Sequence, residues 1–256
     1  MMERLNAAKK PIFYCSFGKD SSAVLHMIRP WLHKTLVAFI DCGGMYPDIV
    51  QWADIVGKTL PHFIHYNAPG NIWDDIKHKG WMVDAEFTAL GRYGKILHAD
   101  PLAKDHKLRS WAECVAERFW VPAAKLATFY NADLMISGER SDDRPFADDW
   151  EIRNNGMNVI RPIFGWTDDD VWNYLDKHEI SLPKTYQGRQ KDRMDCFPCF
   201  GHNMSADRIR YMKKEYPDLY EKIFVEKGFR DVVPRIVHYS RQMADTWSEI
   251  QDIIGE

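Results

Sequence analysis

Through the first two thirds of the chain, short apolar runs of strand length alternate with longer stretches that carry helical spacing. "PIFYCSF" (11–17), "TLVAFIDC" (35–42), "HFIHYNA" (62–68), "DLMISGE" (133–139) and "NVIRPIF" (158–164) are rich in β-branched and aromatic residues and read as five strands. A helix from about Ser21 carries Ala23, Val24, Leu25, Met27 and Ile28, and Pro30 ends it. "YPDIVQWADIVGKT" starts a second helix, with Pro47 in its first turn. Residues 109–131 are helical by pattern, and Pro122 kinks or splits them. "TDDDVWNYLDKH" opens on Thr167, a good N-cap, with acids in the first turn where the helix dipole favours them. Strand and helix in alternation predict an α/β fold: a doubly wound, parallel, five-stranded sheet with helices on both faces.

Beyond residue 180 the pattern changes. "KTYQGRQKDRMDCFPCFGHNMS" is loop-like, and the helix after it carries Ile209, Met212, Tyr216, Leu219, Tyr220 and Ile223, split at Pro217. Two parts are expected: an α/β domain over 1–180, and a C-terminal, mostly helical subdomain over 181–256 that carries a C-x-x-C loop.

Composition narrows the class. The chain has 256 residues, 45% of them apolar and 28% charged, at a net charge of −3, so it has enough length for a sizeable core and no overall bias toward polyanions. Its longest apolar runs are strand-sized, which predicts no membrane span, and the start "MMERLNAAKKPIF" lacks an apolar signal core, which suits a cytoplasmic protein. Five cysteines (Cys15, Cys42, Cys114, Cys196, Cys199) suit reduced thiols or a metal site better than a disulfide framework.

In an open parallel sheet, ligands sit beyond the carboxyl ends of the strands. Three polar turns fall there: "SFGKDSS" after the first strand, "DCGGMYP" after the second and "GERSDD" after the fourth. Amides at a helix start are unpaired and carry partial positive charge, so a small-residue turn leading into a helix makes a phosphate cradle. In "SFGKDSS", Gly18 is expected to allow the tight turn and Ser16, Ser21 and Ser22 offer hydroxyls. Lys19 supplies a cation, and Asp20 holds Mg²⁺ or fixes the loop. The spacing is neither a Walker loop nor a GxGxxG dinucleotide fingerprint.

"SFGKDSS" resembles the pyrophosphate-binding (PP-loop) motif Ser-Gly-Gly-Lys-Asp-Ser of the Rossmann-like adenine-nucleotide α-hydrolase superfamily. Within it the chain is most similar to the phosphoadenosine phosphosulfate (PAPS) reductase family, which includes the small subunit of ATP sulfurylase. "FIDCGGMYPD" resembles the strand-two motif of that family. "ISGERSDD" resembles its Gly-x-Arg-x-Asp turn, and "IRPIFGWTDDDVWNYL" its Pro-Leu-x-x-Trp-Thr-x-x-Asp-Val-Trp helix. The four motifs stand in family order over residues 11–185. By this resemblance Ser16, Gly18, Lys19, Asp20, Ser21 and Ser22 grip the phosphates, Asp41 and Gly43 border the adenosine, and Gly138, Arg140 and Asp142 form the turn whose Arg140 reaches an anionic phosphate or sulfate. Lys19, Asp20 and Arg140 are then the expected catalytic residues. Phe17 departs from the pattern, since nucleotide-cleaving members carry glycine there.

Two chemistries fit. In one, ATP is cleaved at its α-phosphate with Mg²⁺, giving an adenylated acceptor and pyrophosphate. In the other, a thiolate attacks the sulfur of an adenylyl sulfate and sulfite is released. Reductases of that type resemble one another in a Glu-Cys-Gly-containing tail. This chain ends "SEIQDIIGE", so ATP cleavage in sulfur metabolism or sulfur modification is the preferred expectation. A third alternative is a nucleotide-binding subunit without turnover, since ATP sulfurylase small subunits resemble this chain and work with a GTPase partner. A sulfur donor, a nucleic-acid substrate, a partner subunit and a homo-oligomer all stay open as partners. Cys196 and Cys199, in "DCFPCFGH" with His202, are either ligands for Zn²⁺ or an iron–sulfur cluster, or a redox thiol pair.

Other polar residues have plainer readings. Cys15 and Cys42 read as small buried hydrophobes, His62 and His65 as structural, and Asp168 to Asp170 as a helix-start charge pattern. "SDDRPFADDW" reads as a flap or a solvated loop. Arg189, Lys191 and Arg193 read as a solvated loop that could meet a sulfate or nucleic acid.

Overall fold

The computed structural model describes residues 1–83, 108–143, 157–189, 194, 196–201, 205–234 and 244–255. It divides into two compact units, one made of residues 1–68 with 117–189 and the other of 69–116 with 190–256.

The first unit is built on five parallel strands: β1 (Pro11–Tyr14), β2 (Leu36–Asp41), β3 (Phe63–Asn67), β6 (Leu134–Ile136) and β7 (Asn158–Ile160). Their order across the sheet is β3-β2-β1-β6-β7, all neighbours parallel. Residues alternate between faces along each strand, so Ile12, Ala38 and Met135 share one face. There they are buried with Leu126 and Ala127 of a covering helix. Helix α1 is Met2–Ala7. Helices α2 (Lys19–Met27) and α3 (Pro47–Gly57) follow β1 and β2, each starting where the chain leaves the sheet's carboxyl edge. The chain crosses one way from β1 to β2 and the other way to β6, so the topological switch point falls between β1 and β6.

The predicted helix over 109–131 is resolved into parts. Leu108–Ser110 forms a strand, β5, and α5 (Trp111–Val115) follows. A wide π turn at Ala116–Trp120 leads into α6 (Val121–Tyr130). Pro122 has no N–H to continue the ladder, and the turn preceding it widens. Helix α7 (Asp168–Lys177) starts as expected at Thr167: Thr167 Oγ1 accepts from the Asp170 amide at 3.1 Å, and Asp170 returns a bond to the Thr167 amide at 2.8 Å. A short helix, α8 (Lys184–Gln187), is tied to the first turn of α3 where the Thr185 amide donates to Asp48 at 2.7 Å.

The second unit contains helix α4 (Ile72–Lys79) and a small parallel sheet, in the order β5-β4-β8, with β4 at Trp81–Val83 and β8 at Cys199–Phe200. These strands of two or three residues are too short to produce a periodic signal. Helices α9 (Ala206–Glu215) and α10 (Pro217–Glu221) break at Pro217 as predicted, and α11 is Ala244–Gly255. The core of this unit is aromatic, with Phe200 stacked on Phe229 at 3.7 Å and Trp81 4.8 Å from Phe229. No helix among the described residues is long and apolar enough to cross a membrane.

Phe17 sits in the left-handed region at φ 58, where glycine is normally required. Its ring is fully buried, edge-on to Phe39 at 5.8 Å and Phe63 at 6.0 Å, and this packing offsets the backbone strain. Phe17→Ala keeps the strain and loses the aromatic contacts. Chemical denaturation should show a loss of about 3 kcal/mol in stability.

Candidate phosphate-binding site

The loop from Cys15 to Gly18 connects β1 to α2 and brings the N-terminus of α2 to the switch point. The tight turn expected at Gly18 is instead made by Phe17: Gly18 has an extended backbone at φ −71, ψ 176. Gly18 serves a different need. A Cβ there would lie 2.7 Å from the hydroxyl of Tyr186 on α8, so glycine is what lets the buried Tyr186 ring close over the loop. Gly138, in the turn after β6, has the same role on the other side. A Cβ on it would lie 3.2 Å from the Ser21 Cα and 3.3 Å from the Ser21 amide nitrogen. The two glycines clear space around one helix start.

The hydroxyls are arranged around that start. Ser16 Oγ lies 3.2 Å from Ser21 Oγ, the Ser21 hydroxyl donates to the Gly18 carbonyl at 3.1 Å, and the Ser22 hydroxyl donates to the Phe17 carbonyl at 3.3 Å. First-turn amides have no carbonyl partner within their own helix and present a partial positive charge.

Two cations and two carboxylates meet here. Lys19, only 4% exposed, places Nζ 2.9 Å from Asp20 Oδ2 and 2.6 Å from Asp168 Oδ1. Arg140, also buried, places Nε 3.0 Å from Asp20 Oδ1 and Nη2 3.4 Å from Asp168 Oδ1. A buried ammonium without a counter-charge is costly, so these contacts are what allow Lys19 to lie inward. Asp168 is in the first turn of α7, in keeping with the helix-start reading, and has a second role that the reading did not include. Asp169 and Asp170 fit that reading, but Asp168 joins the charge cluster. Helix α7 is held against α2 by His26, whose Nδ1 is 2.8 Å from the Tyr174 hydroxyl and whose ring is 4.8 Å from His178. Burial and the neighbouring His178 and Arg29 lower the His26 pKa.

The other predicted residues are less close to this centre. Asp41 caps its own turn, accepting from the Gly43 amide at 2.7 Å with Gly43 at φ 80, and lies 3.8 Å from His65. His65 in turn is 2.8 Å from Asp54, and His62 lies 2.9 Å from the His33 carbonyl, in keeping with structural roles. Asp142 is exposed in the short turn Ser141–Asp143. Arg189 is paired with Asp176 at 2.5 Å and lies 5.4 Å from the Trp172 ring. Lys191, Arg193, His202 and most of "SDDRPFADDW" fall outside the described residues. Tyr186, Thr185 and the buried Arg118, which donates to the Cys42 carbonyl at 3.0 Å, carry no sequence signal that would single them out.

None of the five cysteines is disulfide-bonded. Cys15 lies next to the loop but is fully buried, and burial pushes its thiol up to about 12. Cys196 and Cys199 are half-buried at the two ends of a turn closed by the Cys199 amide on the Cys196 carbonyl at 3.4 Å. A closed zinc site needs four ligands, and no group of three or more His, Cys, Asp or Glu side chains forms a metal site among the described residues. The Zn²⁺ or iron–sulfur expectation therefore gains no support there. The same holds for a resident Mg²⁺, because Asp20 and Asp168 already face Lys19 and Arg140.

An all-parallel sheet whose switch point holds a helix start, a buried lysine and an arginine defines an open α/β protein with a cationic site at the carboxyl edge of its sheet. The particular branch follows from comparison: the phosphoadenosine phosphosulfate reductase domain model matches residues 10–202, and the chain belongs to that family. It is 21% identical over 177 residues to a phosphoadenosine 5'-phosphosulfate reductase of Xylella fastidiosa (strain M12), covering 68% of this chain and 66% of that protein. It is 23% identical over 167 residues to one of Xanthomonas oryzae pv. oryzae (strain PXO99A), covering 64% of this chain and 61% of that protein. The aligned region thus spans just under two thirds of these relatives. The crystal structure of a phosphoadenylyl-sulfate (PAPS) reductase from Candida auris, a phosphate complex, superposes with a TM-score of 0.51 at 16% identity, covering 76% of this chain and 85% of that one. At that identity the match establishes the shared fold.

Gly138→Ala should press on the backbone of Ser21 and destabilise the protein by about 1–3 kcal/mol, the usual cost of overpacking, as read by chemical denaturation. Iodoacetamide at pH 8 should label Cys196 and Cys199 in the native protein and leave Cys15 unmodified until the protein is unfolded; peptide mass mapping checks both.

Proposed function

We propose that this protein binds an adenylyl sulfate, with or without a 3'-phosphate, in the loop after β1, and releases sulfite from it. Residues 1–180 supply the nucleotide site, and residues 181–256 carry the thiol pair Cys196 and Cys199. The observation that supports this reading is the meeting of Lys19 and Arg140 at the start of α2 in a chain of the PAPS reductase family.

In the chemistry proposed, a thiolate attacks the sulfur of the sulfate and the S–O bond to the phosphate breaks. The adenosine phosphate leaves with the bonding pair. A second thiol then attacks the sulfonated sulfur of the first, giving sulfite and a disulfide. Lys19, Arg140 and the α2 amides stabilise the charge that develops on the departing phosphate, and such fixed donors act more strongly on the transition state than on the substrate. Cys15 is unsuited to the attack, since its thiol stays protonated near neutral pH. Two thiols of an external reductant or of the chain itself supply the electrons.

ATP cleavage at the α-phosphate, the preferred expectation from sequence, is kept as the second reading because Lys19 in the Gly-Lys-Asp-Ser run suits the ATP-cleaving branch. That reading brings in Mg²⁺ with the nucleotide and, as acceptor side, a sulfur donor, a nucleic acid or a partner subunit. Binding without turnover is the third.

Incubation with adenylyl sulfate or its 3'-phosphorylated form and dithiothreitol should release sulfite. AMP and pyrophosphate from ATP with Mg²⁺, and no sulfite, would instead establish the second reading, and binding without either product the third. Lys19→Ala should lower whichever activity is found by at least about a hundredfold, the scale of losing one preorganised charge-stabilising donor; an unchanged rate would refute the assignment.

A further inference from the structure

Asp41 is the last residue of β2, and His65 stands in β3 opposite Phe39. Side chains two apart along a strand share a face, so Phe39, Asp41 and His65 are on one side of the sheet. The rings of Phe39 and His65 are 5.0 Å apart. His65 reaches carboxylates from two different elements: Nδ1 is 2.8 Å from Asp54 Oδ1 on α3, and Nε2 is 3.8 Å from Asp41 Oδ2. An ionised carboxylate only accepts, so Nδ1 carries the proton it gives to Asp54. The second spacing is an ion-pair distance, longer than a hydrogen bond, and Nε2 is buried without a hydrogen-bond partner among the described residues. The other Asp41 oxygen, Oδ1, accepts from the Gly43 amide at 2.7 Å and closes the turn after β2, where Gly43 has φ 80. His65 therefore links the carboxylate that shapes this turn to α3.

We propose that His65 is a positioning residue for the nucleoside half of the ligand, acting through Asp41 and the turn that Asp41 closes. It has this role only if a nucleotide binds at the carboxyl edge of the sheet, as the proposed function has it. With the phosphate end in the loop after β1, the nucleoside extends over a neighbouring strand, since adjacent strands are only about 4.8 Å apart. The turn after β6, on one side, already gives Arg140 to the charge cluster. The turn after β2, on the other side, is the surface for sugar and base. A carboxylate fixed at one oxygen can still rotate; His65 restrains the second oxygen. The turn then presents one surface, and less ordering is left for the ligand to impose.

The test is calorimetric titration of the full chain with ADP and with inorganic pyrophosphate, which share a diphosphate and differ by the nucleoside. Asparagine places its amide near the position of Nδ1 and glutamine near that of Nε2, so the two variants separate the nitrogens. His65→Asn keeps a donor for Asp54 and loses the group facing Asp41. It should weaken ADP binding by about tenfold, the scale of one charge-assisted contact, and leave pyrophosphate binding unchanged. His65→Gln keeps the group facing Asp41 and should restore most of the ADP affinity, which a residue that merely packs would not do. Asp54→Ala, at a half-exposed position, releases His65 from α3 and should weaken ADP binding in the same direction; it serves if the histidine variants are poorly folded. His62→Asn, whose ring lies against the His33 carbonyl, should leave both affinities unchanged. The proposal is overturned if His65→Asn binds ADP like the parent chain, if it loses ADP and pyrophosphate equally, or if the glutamine variant loses as much as the asparagine one. Asp41→Ala separates the two levels. Unchanged ADP binding there, or a parent chain that binds ADP no tighter than pyrophosphate, defeats the placement of the nucleoside itself. Lost ADP binding there, with an unresponsive His65→Asn, defeats only the role of His65.

Discussion

A lysine ammonium buried at the start of a helix is the constraint on which the rest of this site depends. Lys19 lies where the dipole of α2 is already positive, so it can be held inward only if anions come to it. Asp20 from the same turn and Asp168 from α7 provide them, and Arg140 enters the same network from the turn after β6. Three separate stretches of chain are thereby joined at the switch point of the sheet.

The backbone around Lys19 is shaped by steric demands from several directions. Phe17 takes the left-handed turn and is kept there by its ring packing against Phe39 and Phe63. Gly18 makes room for Tyr186, and Gly138 makes room for the backbone of Ser21. Tyr186 itself is placed by Thr185, which Asp48 holds from the first turn of α3. A position where the resembled loop motif has glycine is thus filled here by an aromatic residue that turns local strain into core packing. The loop shape is kept by a different distribution of costs.

Family membership and fold agree, but they leave the chemistry to the site and its thiols. The relatives are named phosphoadenosine 5'-phosphosulfate reductases. Cys15, whose thiol lies beside the loop, is fully buried and its pKa is raised, while Cys196 and Cys199 are half-buried.

The alternation of apolar runs and helical stretches was enough to read the five-stranded parallel sheet, the cap at Thr167 and the break at Pro217, because each of these is set by local periodicity, a capping side chain or a missing amide proton. The charged turns at the strand ends, and with them Lys19 and Arg140, were legible for the same reason: in a parallel sheet the position of a turn along the chain determines its edge. The short strands β4, β5 and β8 were not legible, being too brief to show a period. Nor were Asp168, Tyr186 and Thr185, whose roles come from residues far away in the chain. An acid in a first turn looks the same whether it faces water or a buried lysine. Sequence determined which elements form and which edge holds the polar turns; only the packing of α7 against α2, and of α8 over the loop, decided which side chains meet there, because contact across more than a hundred residues leaves no trace in local pattern.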